Sequence, residues 1–224
     1  MKYKIKNINN AIIGIAPIDS DSEMLLSQLA CKKLYLPYIE KMPEHRKREW
    51  LTVRLLIKEL LGEEKEIAYQ PNRKPYLSDG SYFISISHTN CRKMENRTGK
   101  NKSSIFGYVA VVLDKEKEVA IDIEKISPRA LNVRERFINA EEAKAISPHN
   151  EMIHVLLHWS AKESVFKRMN LKDLDFKEYI HIQPFEPLEK EWNYFEAYET
   201  KTATQNPFHI NYYVHEEYVL TVIL

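Results

Sequence analysis

The sequence lacks the features that mark several common classes of protein. It has only two cysteines, Cys31 and Cys91, which excludes a disulfide-rich scaffold and gives no cysteine spacing typical of a metal site. It has no run of about 18 consecutive apolar residues, the least that a membrane-spanning helix needs. Its N-terminus also lacks the apolar segment of a secretory signal. We therefore expect a cytoplasmic protein that does not enter a membrane.

An excess of positive charge is also missing. Lys and Arg number 33 against 32 Asp and Glu, so the net charge is +1. This balance argues against a dedicated nucleic-acid or polybasic membrane binder. The basic segment at 90–104 is polar, and we interpret it as a solvated loop. Walker A, GxGxxG, HExxH and GxSxG motifs are absent, which excludes the commonest nucleotide-binding, zinc-protease and hydrolase classes.

The hydrophobic pattern predicts an α+β fold. At 224 residues and 44% hydrophobic content, the chain can form one large domain or two small ones. Helices followed by strands occur twice along the chain, which favours two lobes of similar size at 1–124 and 125–224. The predicted helices are 21–34, 44–61, 130–146 and 150–169, and the predicted strands are 11–16, 82–88, 108–113, 119–124, 179–183, 192–198, 208–214 and 218–223. The strands between 82 and 124 are expected to be antiparallel neighbours.

Two acidic residues, Asp122 and Glu124, lie in the predicted strand VAIDIE. Because side chains alternate along a strand, both point to one face and lie about 7 Å apart. Carboxylates at this spacing can converge on a hard cation such as Mg²⁺, which prefers oxygen ligands. The same pair is also typical of a strand with one face in solvent, and the pair taken alone favours that alternative.

Glu163 occupies an unusual place in the predicted helix 150–169. On a helical projection it falls among apolar residues, namely Met152, Val155, Leu156, Trp159 and Phe166. A carboxylate there is costly to desolvate unless a positive charge compensates it. One interpretation is a helix pair with Lys167, worth only about 0.3–0.5 kcal/mol. The other is that Glu163 adds a third carboxylate to a metal site at Asp122 and Glu124.

Histidine and basic residues form a further group of candidates in the first half. His88 ends a predicted strand on its apolar side, where a histidine is more often a buried core residue than a ligand. The basic candidates are Arg73 and Lys74 in a predicted turn and Arg46, Arg48 and Arg54 in a predicted helix. Taken singly, each of these is typical of a solvated surface.

Four segments, taken together and in order, resemble the motifs of the 4′-phosphopantetheinyl transferases of the surfactin-synthetase-activating (Sfp) type. The segments are NRKPYL (72–77), FISISHT (83–89), AIDIEK (120–125) and WSAKESVFK (159–167). The helix motif W-S-x-K-E-S-x-x-K is the most specific of them. The resemblance spans about residues 46 to 167. It implies a pseudo-dimer of two similar α/β lobes with the active site in the cleft between them.

The resemblance also implies roles for individual residues. Asp122, Glu124 and Glu163 match Mg²⁺ ligands that hold the coenzyme A pyrophosphate, and Lys167 matches a lysine at the reacting phosphate. His88 and Thr89 match a strand end that contacts phosphate, and Lys74 matches a basic turn near the adenosine 3′-phosphate. Arg48 matches a further phosphate contact, for which Arg46 and Arg54 are alternatives. Glu163, Lys167 and His88 are the expected catalytic residues, and Glu163 is the candidate base. The family usually has glycine where this chain has Arg73 and Ala120.

The implied activity is transfer of the 4′-phosphopantetheine group of coenzyme A to a serine of an apo acyl or peptidyl carrier protein. Such enzymes depend on Mg²⁺, release adenosine 3′,5′-bisphosphate and serve fatty-acid, polyketide or nonribosomal-peptide biosynthesis. We expect a monomer that does not bind nucleic acid. Two rival hypotheses are a non-catalytic module that binds coenzyme A or a carrier protein, and an Mg²⁺-dependent phosphodiesterase that grips nucleic acid through the 90–104 loop.

Overall fold

A computed structural model describes residues 3–90 and 107–224 of the chain. The chain forms two compact units, Met1–Glu116 and Lys117–Leu224. Each unit combines helices with antiparallel sheet, so the protein is a mixed α/β structure. Across the two described ranges, no helix is long and apolar enough to cross a membrane. The predicted solvated loop at 90–104 lies outside the described residues, apart from the strand end at Asn90.

The first unit contains a four-stranded sheet and a short hairpin. Its strands are β1 (Lys4–Ile8), β2 (Ala11–Pro17), β3 (Ile67–Tyr69), β4 (Pro75–Leu77), β5 (Phe83–Asn90) and β6 (Gly107–Asp114), and its helices are α1 (Ser22–Ser27), α2 (Lys32–Ile39) and α3 (Glu44–Leu61). The sheet order is β1-β2-β6-β5, and β3 pairs with β4 alone. The predicted pairing of β5 with β6 is confirmed.

The helix α3 packs closely on the sheet of the first unit. Val53 and Leu56 on the helix share one core cluster with buried residues of β2, β5 and β6. Gly14 in β2 permits the close approach, because a Cβ atom at that position would lie only 2.8 Å from Leu60 Cδ1. The helix ends at Gly62, whose φ of 76° is the left-handed conformation that glycine adopts without strain. The predicted bounds of this helix are confirmed.

The helix predicted at 21–34 is in fact two helices, α1 and α2. The backbone amides of Ala30 and Cys31 donate to the Glu64 carboxylate at 2.5 and 3.1 Å. These amides therefore do not continue the helical pattern of hydrogen bonds to carbonyls one turn earlier. Because Glu64 lies beyond α3, the periodicity of the segment itself gives no sign of the break.

The second unit contains a five-stranded sheet covered by one long helix. Its strands are β7 (Ala120–Lys125), β8 (Ile180–Ile182), β9 (Trp192–Glu199), β10 (Pro207–Val214) and β11 (Tyr218–Ile223), and its helices are α4 (Arg129–Asn132), α5 (Ala140–Ala145), α6 (Glu151–Met169) and α7 (Phe176–Tyr179), with a 3-10 turn at Arg134–Arg136. The sheet order is β7-β11-β10-β9-β8. The predictions for α6 and for the last three strands are confirmed.

The strand β7 belongs to this second sheet, where it pairs with β11 and Asp122 lies opposite Thr221. The prediction that it follows β6 as the next strand of the first sheet is therefore wrong. A charged turn between two apolar segments is typical of a hairpin, but here the partner of β7 lies almost at the far end of the sequence. The sequence-based division at residue 124 placed this strand in the N-terminal lobe, whereas its hydrogen bonds place it in the second unit.

The helix predicted at 130–146 is broken into α4, the 3-10 turn and α5. Asn139 starts α5 with a capping box, in which its side chain accepts from the Glu142 amide at 2.9 Å and its own amide donates to the Glu142 carboxylate at 2.9 Å. Phe137 and Ile138, immediately before the cap, are buried. The apolar periodicity therefore continues across the break and conceals it.

The helix α6 is fixed on the sheet by three buried hydroxyl groups. Thr221 Oγ1 lies 2.9 Å from Ser160 Oγ and 2.8 Å from Ser164 Oγ, and it donates to the Ser160 carbonyl at 2.9 Å. All three residues are fully buried. The two serines of the W-S-x-K-E-S motif thus position the helix on β11.

Lys162 is a fully buried lysine on α6. Its Nζ donates to the Phe137 carbonyl at 2.6 Å, to Glu142 Oε2 at 2.8 Å and to the Phe176 carbonyl at 3.1 Å. The other oxygen of Glu142 accepts from the Ile182 amide at 2.9 Å. Burial lowers the pKa of Lys162, and the Glu142 carboxylate acts in the opposite direction. One buried ion pair therefore joins α5, α6, α7 and β8.

We predict that removing either partner of this pair is strongly destabilising. Glu142→Gln or Lys162→Met leaves polar groups buried without their partner, so each should lower the free energy of unfolding by about 3–5 kcal/mol. The double variant Glu142→Leu/Lys162→Met removes both charges but leaves the Asn139 and Ile182 amides without their acceptor, so it should lose less stability than the two single variants added together, without returning to the stability of wild type. Lys144→Met, which breaks an exposed ion pair with Glu141, is the matched control and should cost less than about 1 kcal/mol. Urea-induced unfolding measures the free energy of unfolding of all four variants. A loss in the double variant equal to the two single losses added together would contradict the pairing.

Candidate active site

Two acidic side chains lie on the face of β7 that α6 covers. Thr221, directly opposite Asp122, bonds to serines of α6, so Asp122 is on the helix-facing side. Glu124, two residues later, is on the same side. Asp122 is 4% exposed and Glu124 is half-buried. The alternative interpretation, a strand with these acids in solvent, is therefore wrong.

Three residues of α6 face these acids, because Trp159, Glu163 and Lys167 are spaced four residues apart and share one side of the helix. Trp159 Nε1 donates to Glu124 Oε1 at 2.8 Å. Lys167 Nζ donates to Asp122 Oδ1 at 2.8 Å and to a backbone carbonyl of β7 at 2.8 Å. The helix and the strand thus bring five polar residues of the predicted motifs together.

Glu163 is the half-buried member of this group that no described residue binds directly. Its carboxylate receives no hydrogen bond or ion pair from residues 3–90 or 107–224. The interpretation of Glu163 and Lys167 as a helix pair is wrong, because the lysine binds Asp122 instead. The carboxylate of Glu163 is consequently left for another partner.

The two glutamates of the site hold their protons unusually strongly. Burial and the charge of Asp122 raise the pKa of Glu124 to about 7, although the Trp159 hydrogen bond acts in the opposite direction. Burial and the same charge raise the pKa of Glu163 to about 7. Carboxylates that disfavour each other's ionisation in this way are stabilised by a cation.

The predicted metal ligands do not form a closed metal centre in this arrangement. Among residues 3–90 and 107–224, no group of three or more His, Cys, Asp or Glu side chains is placed to hold a metal ion. The positive charge beside Asp122 is the ammonium group of Lys167, and Glu124 is bonded to an indole. The donor set still fits Mg²⁺ chemically, because it offers carboxylate oxygens that repel one another. The assignment of Asp122, Glu124 and Glu163 to a metal stays a prediction.

A second polar cluster lies in the first unit at the end of β5. The side chain of His88 is 38% exposed, so the interpretation as a buried core histidine is wrong. Arg46 Nη1 lies 3.0 Å from His88 Nε2 and 2.7 Å from Glu49 Oε2. His88 Nε2 and Glu49 Oε2 are themselves 3.3 Å apart. Glu49 is buried, and its Oε1 lacks a hydrogen-bond partner among the described residues. Glu49 belongs to none of the predicted motifs, although its spacing of three residues from Arg46 is a signal of a helix ion pair.

The structure also separates the arginines considered for phosphate binding. Arg48 Nε pairs with a glutamate one turn earlier at 2.9 Å. Arg54 is buried and stacks on a tryptophan ring. Arg46 is therefore the one of the three that lies beside His88. Thr89 is buried on the opposite face of β5 from His88.

Lys74 follows the tight turn between β3 and β4. The Arg73 amide donates to the Gln70 carbonyl at 2.8 Å, and the Gln70 amide donates to the Lys74 carbonyl at 3.0 Å. Arg73 has a φ of 69°, the left-handed conformation that favours glycine at this place in a hairpin. Arg73 thus adopts a backbone conformation that glycine adopts without strain. The turn is formed despite the departure from the family pattern.

Comparison with known protein families adds an independent indication. Residues 118–223 match the 4′-phosphopantetheinyl transferase superfamily. The matching segment is just under half of the chain and contains Asp122, Glu124, Glu163 and Lys167. It does not include the cluster of the first unit, and it does not distinguish the Sfp type within the superfamily. No curated protein matches the chain.

We predict a characteristic pH dependence of stability for the metal-free protein. In the folded protein the pKa of Glu124 and Glu163 is about 7, above the ordinary 4.5. The stability that their proton binding contributes is therefore complete below about pH 4.5 and is lost as the pH rises through about 7. Wild type should therefore lose more stability between about pH 5 and 8 than the Glu124→Gln/Glu163→Gln variant. Thermal melts in EDTA at both pH values measure this. An identical pH dependence in wild type, the double variant and the surface control Glu141→Gln would contradict it.

Proposed function

We propose that this protein transfers the 4′-phosphopantetheine group of coenzyme A to a serine of an apo acyl or peptidyl carrier protein, as transferases of the Sfp type do. One observation carries the proposal: Asp122, Glu124, Glu163 and Lys167 meet on β7 and α6, within the segment that matches the superfamily. In the reaction the serine oxygen forms a bond to the β-phosphorus of coenzyme A. The bond from that phosphorus to the bridging oxygen breaks, and adenosine 3′,5′-bisphosphate leaves.

Asp122, Glu124 and Glu163 are the residues that would hold Mg²⁺. When bound, Mg²⁺ neutralises negative charge on pyrophosphate oxygens during such a transfer. The mutual repulsion of the three carboxylates supports this assignment, because it disfavours the site without a cation. Lys167 supplies a second positive charge, and its side chain is 28% exposed and thus accessible to a phosphate. We assign Lys167 to the oxygens of the reacting phosphate.

Glu163 is our candidate for the group that accepts the serine proton. A general base works best when its pKa lies near the working pH, and burial raises the pKa of Glu163 to about 7. No described side chain ties up its carboxylate. This pKa value belongs to the metal-free site, in which the Glu163 carboxylate has no described partner, and both the ligand role and the base role require its charge.

The first unit would bind the remaining phosphates of coenzyme A. Lys74, His88 and Thr89 match the family positions, and Arg46 adjoins His88 with an exposed guanidinium. We therefore favour Arg46 over Arg48 as the additional contact. Glu49 would act as a positioning residue that holds Arg46 at His88.

The activity is tested by incubating unrelated apo-carrier proteins with the protein, coenzyme A and Mg²⁺. We expect each accepted carrier to gain the mass of one phosphopantetheine group, and EDTA to suppress the gain. Intact-protein mass spectrometry gives the readout. If every carrier stays unmodified while a reference transferase modifies them, the enzyme proposal fails. Coenzyme A binding without turnover would then favour the binding module, and nucleotide release without carrier modification would favour the phosphodiesterase.

Glu163→Gln should abolish most of the activity while keeping the fold. The change preserves shape but removes the charge, so turnover should fall by about 10²-fold or more. The melting temperature of the metal-free variant should be unchanged or higher, because one repelling charge is gone. Glu141→Gln, at an exposed position of the same unit, is the matched control. Titration calorimetry of Mg²⁺ with coenzyme A present completes the test, and unchanged Mg²⁺ affinity and activity would exclude the assignment.

Substitutions in the first unit should affect coenzyme A binding more than stability. Removing one charge-assisted contact costs roughly 1.5 kcal/mol, so His88→Ala and Lys74→Ala should each weaken binding about tenfold. Lys33→Ala, on the exposed side of α2, is the control. Glu49→Gln should weaken binding by a smaller factor because Glu49 acts through its neighbours. A His88→Ala variant that melts early but binds coenzyme A with full affinity would show that His88 is structural.

A further inference from the structure

A pocket of about 210 Å³ in the first unit shares no lining residue with either cluster described above. It is formed between α2, α3 and the strand β3. Aromatic side chains make up much of its wall, and its charged groups are Arg54 and Glu66. The aromatic residues are Tyr35, Tyr38, Trp50 and Tyr69. Pockets with apolar and aromatic walls and few polar groups are typical of small-molecule sites.

Arg54 is a buried charged residue in the wall of this pocket. It is 5% exposed, and within the described ranges no carboxylate lies at ion-pair distance from it. Its Nη1 donates to the Trp50 carbonyl at 3.1 Å, and its guanidinium lies over the Trp50 ring. Burial lowers the pKa of Arg54 to about 10, and the Tyr69 hydroxyl acts in the opposite direction. Buried arginines are nearly always paired with an anion.

The aromatic residues around Arg54 form a partly exposed stack. Tyr38 lies parallel to Trp50 with ring centroids 6.1 Å apart, and Tyr35 meets Trp50 edge-on at 5.4 Å. Tyr38 is 57% exposed and Tyr69 is 50% exposed, so apolar ring surface remains open to solvent at the pocket. Such surface is stabilised by a ligand that covers it.

We propose that this pocket binds a small aromatic monocarboxylate, with its carboxylate on the Arg54 guanidinium and its ring against the tyrosines and Trp50. The planar guanidinium presents a fork of donors that matches a carboxylate. Glu66, also at the pocket, disfavours a dianion such as a phosphate monoester. The volume suits a single ring with one carboxylate. This site is independent of the proposed transferase function.

Benzoate is the probe for this proposal, and benzamide, of the same shape without the charge, is its control. The full chain is labelled with ¹⁵N-tryptophan, and the indole signals of Trp50, Trp159 and Trp192 are followed by NMR up to ~10 mM ligand. We expect a saturable shift of the Trp50 signal with benzoate and a much smaller one with benzamide. Trp159, in the candidate active site, and Trp192 should not shift. Trp50→Phe identifies the reporting signal.

Two variants show whether the binding depends on this pocket. Arg54→Lys keeps the charge but loses the donor fork, and we expect benzoate affinity to fall about tenfold. Tyr38→Ala removes a ring at the mouth and should also weaken binding, whereas Tyr194→Ala, equally exposed at 57%, should not. If Arg54→Lys fails to fold, the comparison of the two tyrosine variants decides. Equal responses to benzoate and benzamide, no response of Trp50, or undiminished affinity in Tyr38→Ala would overturn the proposal.

Discussion

The buried ion pair between Lys162 and Glu142 is the interaction on which the second unit depends. It fixes the rotation of α6 about its own axis, because the ammonium group must reach the interior between α5 and α7. The next residue, Glu163, then points about 100° away around the helix, on the side of β7. Of these two adjacent residues of the motif, Lys162 therefore stabilises the fold and Glu163 lies in the candidate active site. A shift of α6 that exposed Lys162 would also remove Glu163 from Asp122.

The polar residues of the α6 motif divide into those that hold the helix and those that face the acids. Ser160 and Ser164 bind Thr221 and keep the helix close to β11. Trp159 and Lys167 instead bond to the carboxylates of β7. Their hydrogen bonds partly compensate two charges that would otherwise be buried together. The site is consequently assembled by local contacts within one unit.

Sequence reasoning identified long, periodic elements and missed features set by distant residues. The helix at 44–61 and the strand at 218–223 were predicted with their observed bounds, because the helix ends at a glycine and the strand is a short apolar run that follows a polar turn. The break before α2 was missed since Glu64 causes it from beyond α3. The residues Asp122, Glu124, Glu163 and Lys167 were predicted as a group through the family resemblance. Their hydrogen-bond partners were not predicted, because the spacing along the sequence does not show that Lys167 binds Asp122 and not Glu163.

The pairing of β7 with β11 has a consequence for the order in which this protein matures. Nearly one hundred residues separate Asp122 from Thr221, its cross-strand neighbour. On the ribosome, at about 5–20 residues per second, the acidic strand therefore waits several seconds before its partner is made. The helix α6, which covers the same acids, is made part-way through that interval, at residues 151–169. The full set of contacts around Glu124 and Glu163 therefore depends on segments that are made at widely separated times, because β7, α6 and β11 all contribute to it.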